Sequence, residues 1–232
     1  MRQTLALIHT SKVFLTVETM MQGLFSEIIP DVRLINIMDD SLLPDVMAEQ
    51  RISTEVTRRM CAYVVAAEAT GADAVLSLCS SLGPTIDVAR KLVTIPVIKI
   101  DDAHTEKAAR EAARVGVMAT VATTLPPTVA LIREKALALN KTVEIRESLS
   151  NAAFQALMAG EKDKHDAMVT EAARALAPDV DVLLFAQASM TRLAPQIEQA
   201  TGRPVLTSPR LAIEYTKRVL DDRKAIKQAA GK

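Results

Sequence analysis

The stretch Ala72-Asp73-Ala74-Val75-Leu76-Ser77-Leu78-Cys79-Ser80-Ser81-Leu82-Gly83-Pro84 reads as a buried strand that runs into a tight turn and then a helix. Its apolar run is short and bounded by turn-forming residues, and Pro84 suits the first turn of a helix. The turn carries a thiol and two hydroxyls. A cysteine there lies near unpaired backbone N–H groups and the positive end of a helix dipole, both of which favour the thiolate. Such a turn suits a small anion, and Cys79 is the candidate base. Free cysteine more commonly packs as a small hydrophobe. Position argues otherwise here, because open α/β sheets bind ligands outside the carboxyl ends of their strands.

Outward from this stretch, strands alternate with helices, the pattern of a mostly parallel sheet with helices on its faces. Leu5 to Ile8 is a strand ending in His9-Thr10-Ser11, followed by a helix over 13–28 and a strand over 32–37. The polar segment 39–49, with Pro44 inside it, is expected to be a loop that can cover a site, its acids solvated. Ser53 is expected to cap a helix with Val56, Met60, Tyr63, Val64 and Ala67 at helical spacing, stopped by Gly71. Cys61 on that helix is assigned to packing. Beyond the Cys79 turn come a helix over 84–92, a strand over 96–100 and a charged helix over 101–114, on which His104 is expected to be exposed. The second half runs strand 115–120, helix 127–139, strand 142–146, helix 165–176, strand 180–186, helix 193–201, strand 204–206 and helix 211–229. His165 and Arg210 are expected at the surface.

The halves repeat one another. Asp73 precedes Cys79 by the same interval as Asp181 precedes Gln187, and the same offset carries Pro96-Val97 onto Pro204-Val205. At a slightly different offset Thr10 falls opposite Thr120 and Val32 opposite Val143. A duplicated unit explains this register. The expected fold is therefore α/β, two similar three-layer parallel-sheet halves related by a pseudo-twofold, with the active site in the crevice between them. Residues 1–100 plus 212–232 form the first half and 113–211 the second.

Composition narrows the function. Lys+Arg and Asp+Glu both number 28, so no net charge draws the chain to nucleic acid or to an anionic membrane. Aromatic residues are 3% of the chain and Trp is absent, which removes stacking platforms for single strands. Neither cysteine belongs to a metal-ligand spacing, so no metal is expected and a reducing compartment fits. The apolar run Leu5 to Ile8 is too short for a signal peptide or membrane span, and a cytoplasmic protein is expected. The loops at the strand ends, His9 to Ser11, Cys79 to Gly83, Thr120 to Thr124, Gln187 to Thr191 and Thr207 to Arg210, hold many hydroxyls and few charges. They suit a small carboxylate and lack the glycine patterns of dinucleotide and phosphate loops.

At Leu78-Cys79-Ser80-Ser81, at Val115-Gly116-Val117-Met118-Ala119-Thr120 and at Phe185-Ala186-Gln187-Ala188-Ser189-Met190, the sequence resembles the aspartate/glutamate/hydantoin racemase superfamily. The last segment is similar to the family's Leu-Gly-Cys-Ala-Gly-Met type, and the resemblance spans nearly the whole chain. It implies an isomerase that needs no cofactor. Two thiols, one from each half, flank the carbon beside a carboxylate; one removes its proton and the other delivers a proton to the opposite face. By position Cys79 is the first thiol. Ser80 and Ser81 bind the carboxylate, with Thr10, Thr120, Thr123, Thr124, Gln187, Ala188 and Ser189 as further substrate-binding candidates. The resemblance also implies a homo-oligomer acting on a small carboxylate-containing substrate.

The sequence departs from that pattern at the second thiol, where it has Gln187, whose amide neither takes nor gives a proton at neutral pH. Three chemistries remain. His9 replaces the thiol, since histidine titrates near neutrality. Alternatively one thiol suffices, as in the arylmalonate decarboxylase branch, where a carbanion made by loss of CO₂ is protonated from one face. That branch carries its cysteine on the second half, whereas Cys79 is on the first. Finally, a proton can shift between neighbouring carbons on one face. In each, charge developing on a carboxylate must meet oriented donors. A small-acid binding protein without catalysis is the alternative of another class.

Overall fold

The computed structural model describes residues 2–12 and 20–230. The chain divides into two compact units, Met1–Ile100 with Pro209–Lys232, and Asp101–Ser208. Each contains a four-stranded parallel sheet. In the first unit β1 (Thr4–His9), β2 (Arg33–Met38), β3 (Ala74–Ser77) and β4 (Val97–Lys99) lie in the order β2-β1-β3-β4. In the second, β5 (Arg114–Ala119), β6 (Glu144–Leu149), β7 (Val182–Phe185) and β8 (Val205–Leu206) lie in the order β6-β5-β7-β8. The two orders are the same, as duplication requires.

The helices repeat as well. In the first half they are α1 (Met20–Ile28), α2 (Leu42–Glu49), α3 (Thr54–Ala69), α4 (Gly83–Ala89) and α5 (Asp102–Glu111). Their counterparts are α6 (Leu125–Ala138), α7 (Asn151–Met158), α8 (Lys162–Leu176), α9 (Ala194–Thr201) and α10 (Ser208–Ala230). Residues 13–19 of the expected first helix lie outside the described residues. The closing helices are exchanged: α5, which follows β4, packs in the second unit, and nearly all of α10, which follows β8, packs in the first. Among the described residues no helix is long and apolar enough to cross a membrane.

Side chains alternate across each sheet as strand geometry demands. In β7, Leu183 and Phe185 join Val169, Ala173 and Ile197 of α8 and α9 on one face, while Val182 and Leu184 join Val129 and Ile132 of α6 on the other. Ala6, Ile8 and Val75 likewise pack on Val56, Met60 and Val64 of α3 and Ile86 of α4. Ser53 caps α3 by accepting a hydrogen bond from Val56 N–H at 3.2 Å, and Gly71, with φ at +79°, follows its end.

The repeat holds at the level of single hydrogen bonds. The Asp73 carboxylate accepts from Thr4 N–H at 2.9 Å and the Asp181 carboxylate from Arg114 N–H at 2.8 Å, each tying the start of one strand to that of its neighbour. Each also meets a cation, Lys227 for Asp73 and Arg114 for Asp181. Burial works against the Asp73 charge, but Lys227 and the Thr4 amide more than offset it and hold the carboxyl below its ordinary range. Asp73→Ala leaves that amide without its acceptor and is expected to cost about 1–3 kcal/mol. A urea titration should show a lower midpoint at unchanged slope; an unmoved midpoint would contradict the role.

Two expectations are corrected. Segment 39–49 is not a loop, because residues 42–49 form α2. Pro44 falls in the helix's first turn, where an N–H has no intrahelical acceptor, so it does not break it. Leu42 and Val46, four residues apart, carry α2 into the core. Nor is Asp39 solvated: it accepts from Tyr63 Oη at 2.8 Å and from Arg59 at 3.1 Å. The second correction is α7, at the same place in the repeat, in a segment for which the sequence pattern predicts no helix.

Candidate active site

In a sheet of this order the chain leaves β1 and β3 in opposite lateral directions, so a crevice opens at their carboxyl ends. Thr10 follows β1 and Cys79 follows β3, with Leu78 N–H donating to Ile8 O at 3.0 Å just before the turn. Cys79 has extended backbone (φ −138°, ψ 116°) and heads a 3-10 turn, Ser80–Leu82, that leads directly into α4. Its half-buried thiol packs against the apolar cluster containing Ile8 and Leu82. Ser80 and Ser81, next in the chain, and Thr10, at the end of β1, are buried. Leu43 N–H of α2 donates to Thr10 O at 3.3 Å, which ties this helix to the end of β1.

The second unit builds the same corner from different side chains. Gln187 follows β7 with backbone angles of −132° and 129°, matching Cys79, and heads the 3-10 turn Ala188–Leu193. Its Oε1 accepts from Thr120 N–H at 2.6 Å, from Val121 N–H at 3.0 Å and from Thr120 Oγ1 at 3.2 Å. The fold thus brings Thr120 and Gln187 together. Thr124 Oγ1 donates to Val121 O at 2.7 Å and closes the turn after β5, on which the half-buried Thr123 lies. Ala188 is buried and Ser189 half-buried. Arg192, at the end of the Gln187 turn, grips Asp166 of α8 through two hydrogen bonds, at 2.6 and 2.5 Å, and so holds that turn. The paired guanidinium first, against burial, keeps the Asp166 carboxyl below its usual range.

His9 does not share a face with Cys79. It alternates with Ile8 and lines a cavity of about 370 Å³ with Leu7, Phe25, Leu34, Asn36 and Leu78. Its Nε2 lies 2.9 Å from Asn36 Oδ1, while Nδ1 is buried with no hydrogen bond among the described residues. Burial lowers its pKa, with the Asn36 contact acting the other way, so the ring is neutral at pH 7.

Two other histidines are not where the sequence placed them. His104 is wholly buried rather than exposed, with Nε2 3.9 Å from Asp101 Oδ1. The polar residues around it on α5 face the interior of the second unit, and Asp102 there meets Lys135 at 3.2 Å. His165 is buried too, its Nδ1 2.7 Å from Asp166 Oδ1 and 3.5 Å from the Arg192 guanidinium. Arg210 remains half-exposed, paired with Glu27 at 2.8 Å.

Sequence reasoning missed Lys99 and Ser77. They are register partners on β4 and β3, two residues before the Cys79 turn in the case of Ser77. Lys99 is 5% exposed, runs its stem past Gly83 and places Nζ 2.7 Å from Asp87. Ser77 Oγ is buried with no hydrogen-bond partner among the described residues. The signal available was a lysine inside the apolar run Pro96 to Ile100. The other cysteine, Cys61, packs on the first unit's core, and burial raises its pKa.

No curated protein matches the chain. Its fold is similar to a glutamate racemase from Bacillus anthracis, with a TM-score of 0.70 at 16% identity over 95% of this chain and 82% of that one. A glutamate racemase from Francisella tularensis in complex with D-glutamate gives 0.70 at 14% identity, over 96% and 82% of the two chains. An allantoin racemase from Klebsiella pneumoniae gives 0.63 at 17% identity, over 94% and 88%. The family described as Asp/Glu/Hydantoin racemase matches residues 14–216. The chain belongs to the Asp/Glu/hydantoin racemase family and is an isomerase.

Proposed function

We propose that the protein is a cofactor-independent isomerase in which Cys79 moves the proton on the carbon beside the carboxylate of a small acid. The observation that carries this reading is the place of the thiol, at the carboxyl end of β3 where the strand order reverses and at the head of a turn into a helix. The turn's backbone N–H groups and the hydroxyls of Ser80, Ser81 and Thr10 are the donors suited to the charge that develops on the carboxylate. Cys79 is the proton carrier at this turn. Its counterpart Gln187 has no titrating group, Cys61 is tied up in packing, and the neutral ring of His9 faces the other side of the sheet. One thiol can move a proton to a neighbouring carbon on the same face or protonate a carbanion left by loss of CO₂, whereas inverting a carbon needs a second carrier on the opposite face.

The test is proton exchange in deuterated buffer, followed by NMR, on L-glutamate, L-aspartate, allantoin and phenylmalonate, with the native protein and Cys79→Ala. Deuterium is expected only with the native protein, at the carbon beside the carboxylate or, in allantoin, beside the ring carbonyl. Scrambled configuration would bring in His9 as a second carrier, and CO₂ release from phenylmalonate would favour the decarboxylase reading. Exchange undiminished in Cys79→Ala would sink the proposal.

A further inference from the structure

Three donors of the second unit, Thr120 N–H, Val121 N–H and Thr120 Oγ1, converge on one point, and that point is filled by the protein's own Gln187 Oε1. Such a cluster of backbone N–H groups is an anion-accepting concavity. Here it is occupied by a neutral oxygen. The arrangement also fixes which way the carboxamide faces. Rotating it by half a turn would set its NH₂ group against two N–H donors, so the oxygen side is determined by its partners. All hydrogen bonds of the side chain run to Oε1, and none among the described residues uses Nε2. Gln187 itself is half-buried, and the turn behind it is held by Arg192 on Asp166.

We propose that Gln187 is a locked hydrogen-bond donor: held through Oε1 by Thr120 and Val121, it presents the two Nε2 protons to a carboxylate or carbonyl oxygen of a small acid. The claim rests on the small-acid reading of the site and deepens it. At the position matching Cys79 the second unit supplies a fixed N–H donor that cannot titrate, so it binds oxygen and stabilises charge but carries no proton. Thr120 and Val121 are positioning residues that act through Gln187.

Acetate, the simplest carboxylate, is the probe, titrated into ¹⁵N-labelled native protein. The Gln187 side-chain NH₂ signals, assigned by their loss in Gln187→Glu, are expected to move downfield and saturate, while the Thr120 and Val121 amide signals stay still. In Gln187→Ala the concavity is vacated, and those two amides are expected to respond to acetate instead. Unmoved Gln187 signals would overturn the proposal. So would movement of the Thr120 and Val121 amides in the native protein, since it would mean that acetate displaces the side chain. The readout needs no turnover. If acetate moves the Nε2 protons but no compound exchanges, the proton-transfer reading fails and the donor stands. If a compound exchanges while the Gln187 signals stay silent, the donor fails and proton transfer by Cys79 stands.

Discussion

Cys79→Ser is expected to slow proton exchange by about 10³-fold, the scale of a lost general acid or base. The change is conservative in shape: the residue keeps its extended backbone, its half-buried seat and a group that can donate or accept a hydrogen bond. It removes only acidity. A thiol near the N–H groups of a turn yields a usable fraction of thiolate at neutral pH, whereas a hydroxyl needs a neighbouring base to become nucleophilic or basic. Lys99, whose stem passes Gly83 of the turn, is already engaged with Asp87, and the His9 ring lies on the other face. The melting temperature should be unchanged, which separates lost chemistry from lost structure. A serine variant with native rates would remove Cys79 from the proton step.

Acidification from pH 6.5 to about 4 is expected to weaken folding by about 3 kcal/mol through His104 alone. Burial is the main cause: it pushes the imidazole from its ordinary 6.5 to about 4, while the backbone of Phe185 and Asp101 and the charge of Asp102 pull it part of the way back. Between those two values the unfolded chain binds a proton at His104 and the folded chain does not. Protonation therefore stabilises the unfolded state, and stability falls as pH falls through this window. Asp101, Asp102 and Lys135 are the charged groups about it, the last two paired with each other. His9 is shifted in the same direction and adds to the slope. The lowered carboxylates, Asp39, Asp40, Asp73, Asp166 and Asp181 from 3.8 and Glu27 and Glu68 from 4.5, lose their contribution as pH falls through and below those values, so they overlap only the acid end of this window. Urea unfolding at several pH values should show the slope, and His104→Gln should flatten it. Because that variant leaves a foreign amide in the core, an NMR titration of the native ring gives an independent reading; titration near 6.5 would rule the mechanism out.

The duplicated fold was legible in the sequence because it depends on local patterns. Apolar strands such as Ala74–Ser77 and Val182–Phe185 are bounded by turn residues, and the spacing from Asp73 to Cys79 and from Asp181 to Gln187 survives from one half to the other. What failed did so twice in the same place. Both α2 and α7 are eight residues long, too short for periodicity to stand out, and Pro44 looked like a breaker although a first helical turn tolerates it. Their stability comes from packing: Leu42 and Val46 join a cluster with Ile8 and Leu82, and Ala153 joins one with Met118, Val169 and Phe185. No window of sequence holds that information.

Burial of polar side chains was the other gap. His104 and His165 sit among charged neighbours, and charged neighbours usually mean solvent; here Lys135 from α6 pairs with Asp102 beside the one, and Arg192 from the turn before α9 pairs with Asp166 beside the other. The sequence by itself determined the strand order, the helices other than α2 and α7, the thiol at the end of β3 and the amide at the same register of the second half, since each follows from residue type and spacing. Only the tertiary structure decided that His9 faces away from Cys79, that Lys99 is buried near its turn, and that Gln187 is held by Thr120 and Val121. Those facts depend on which face of a strand a side chain takes and on contacts between residues up to 67 positions apart, which chain order alone does not specify.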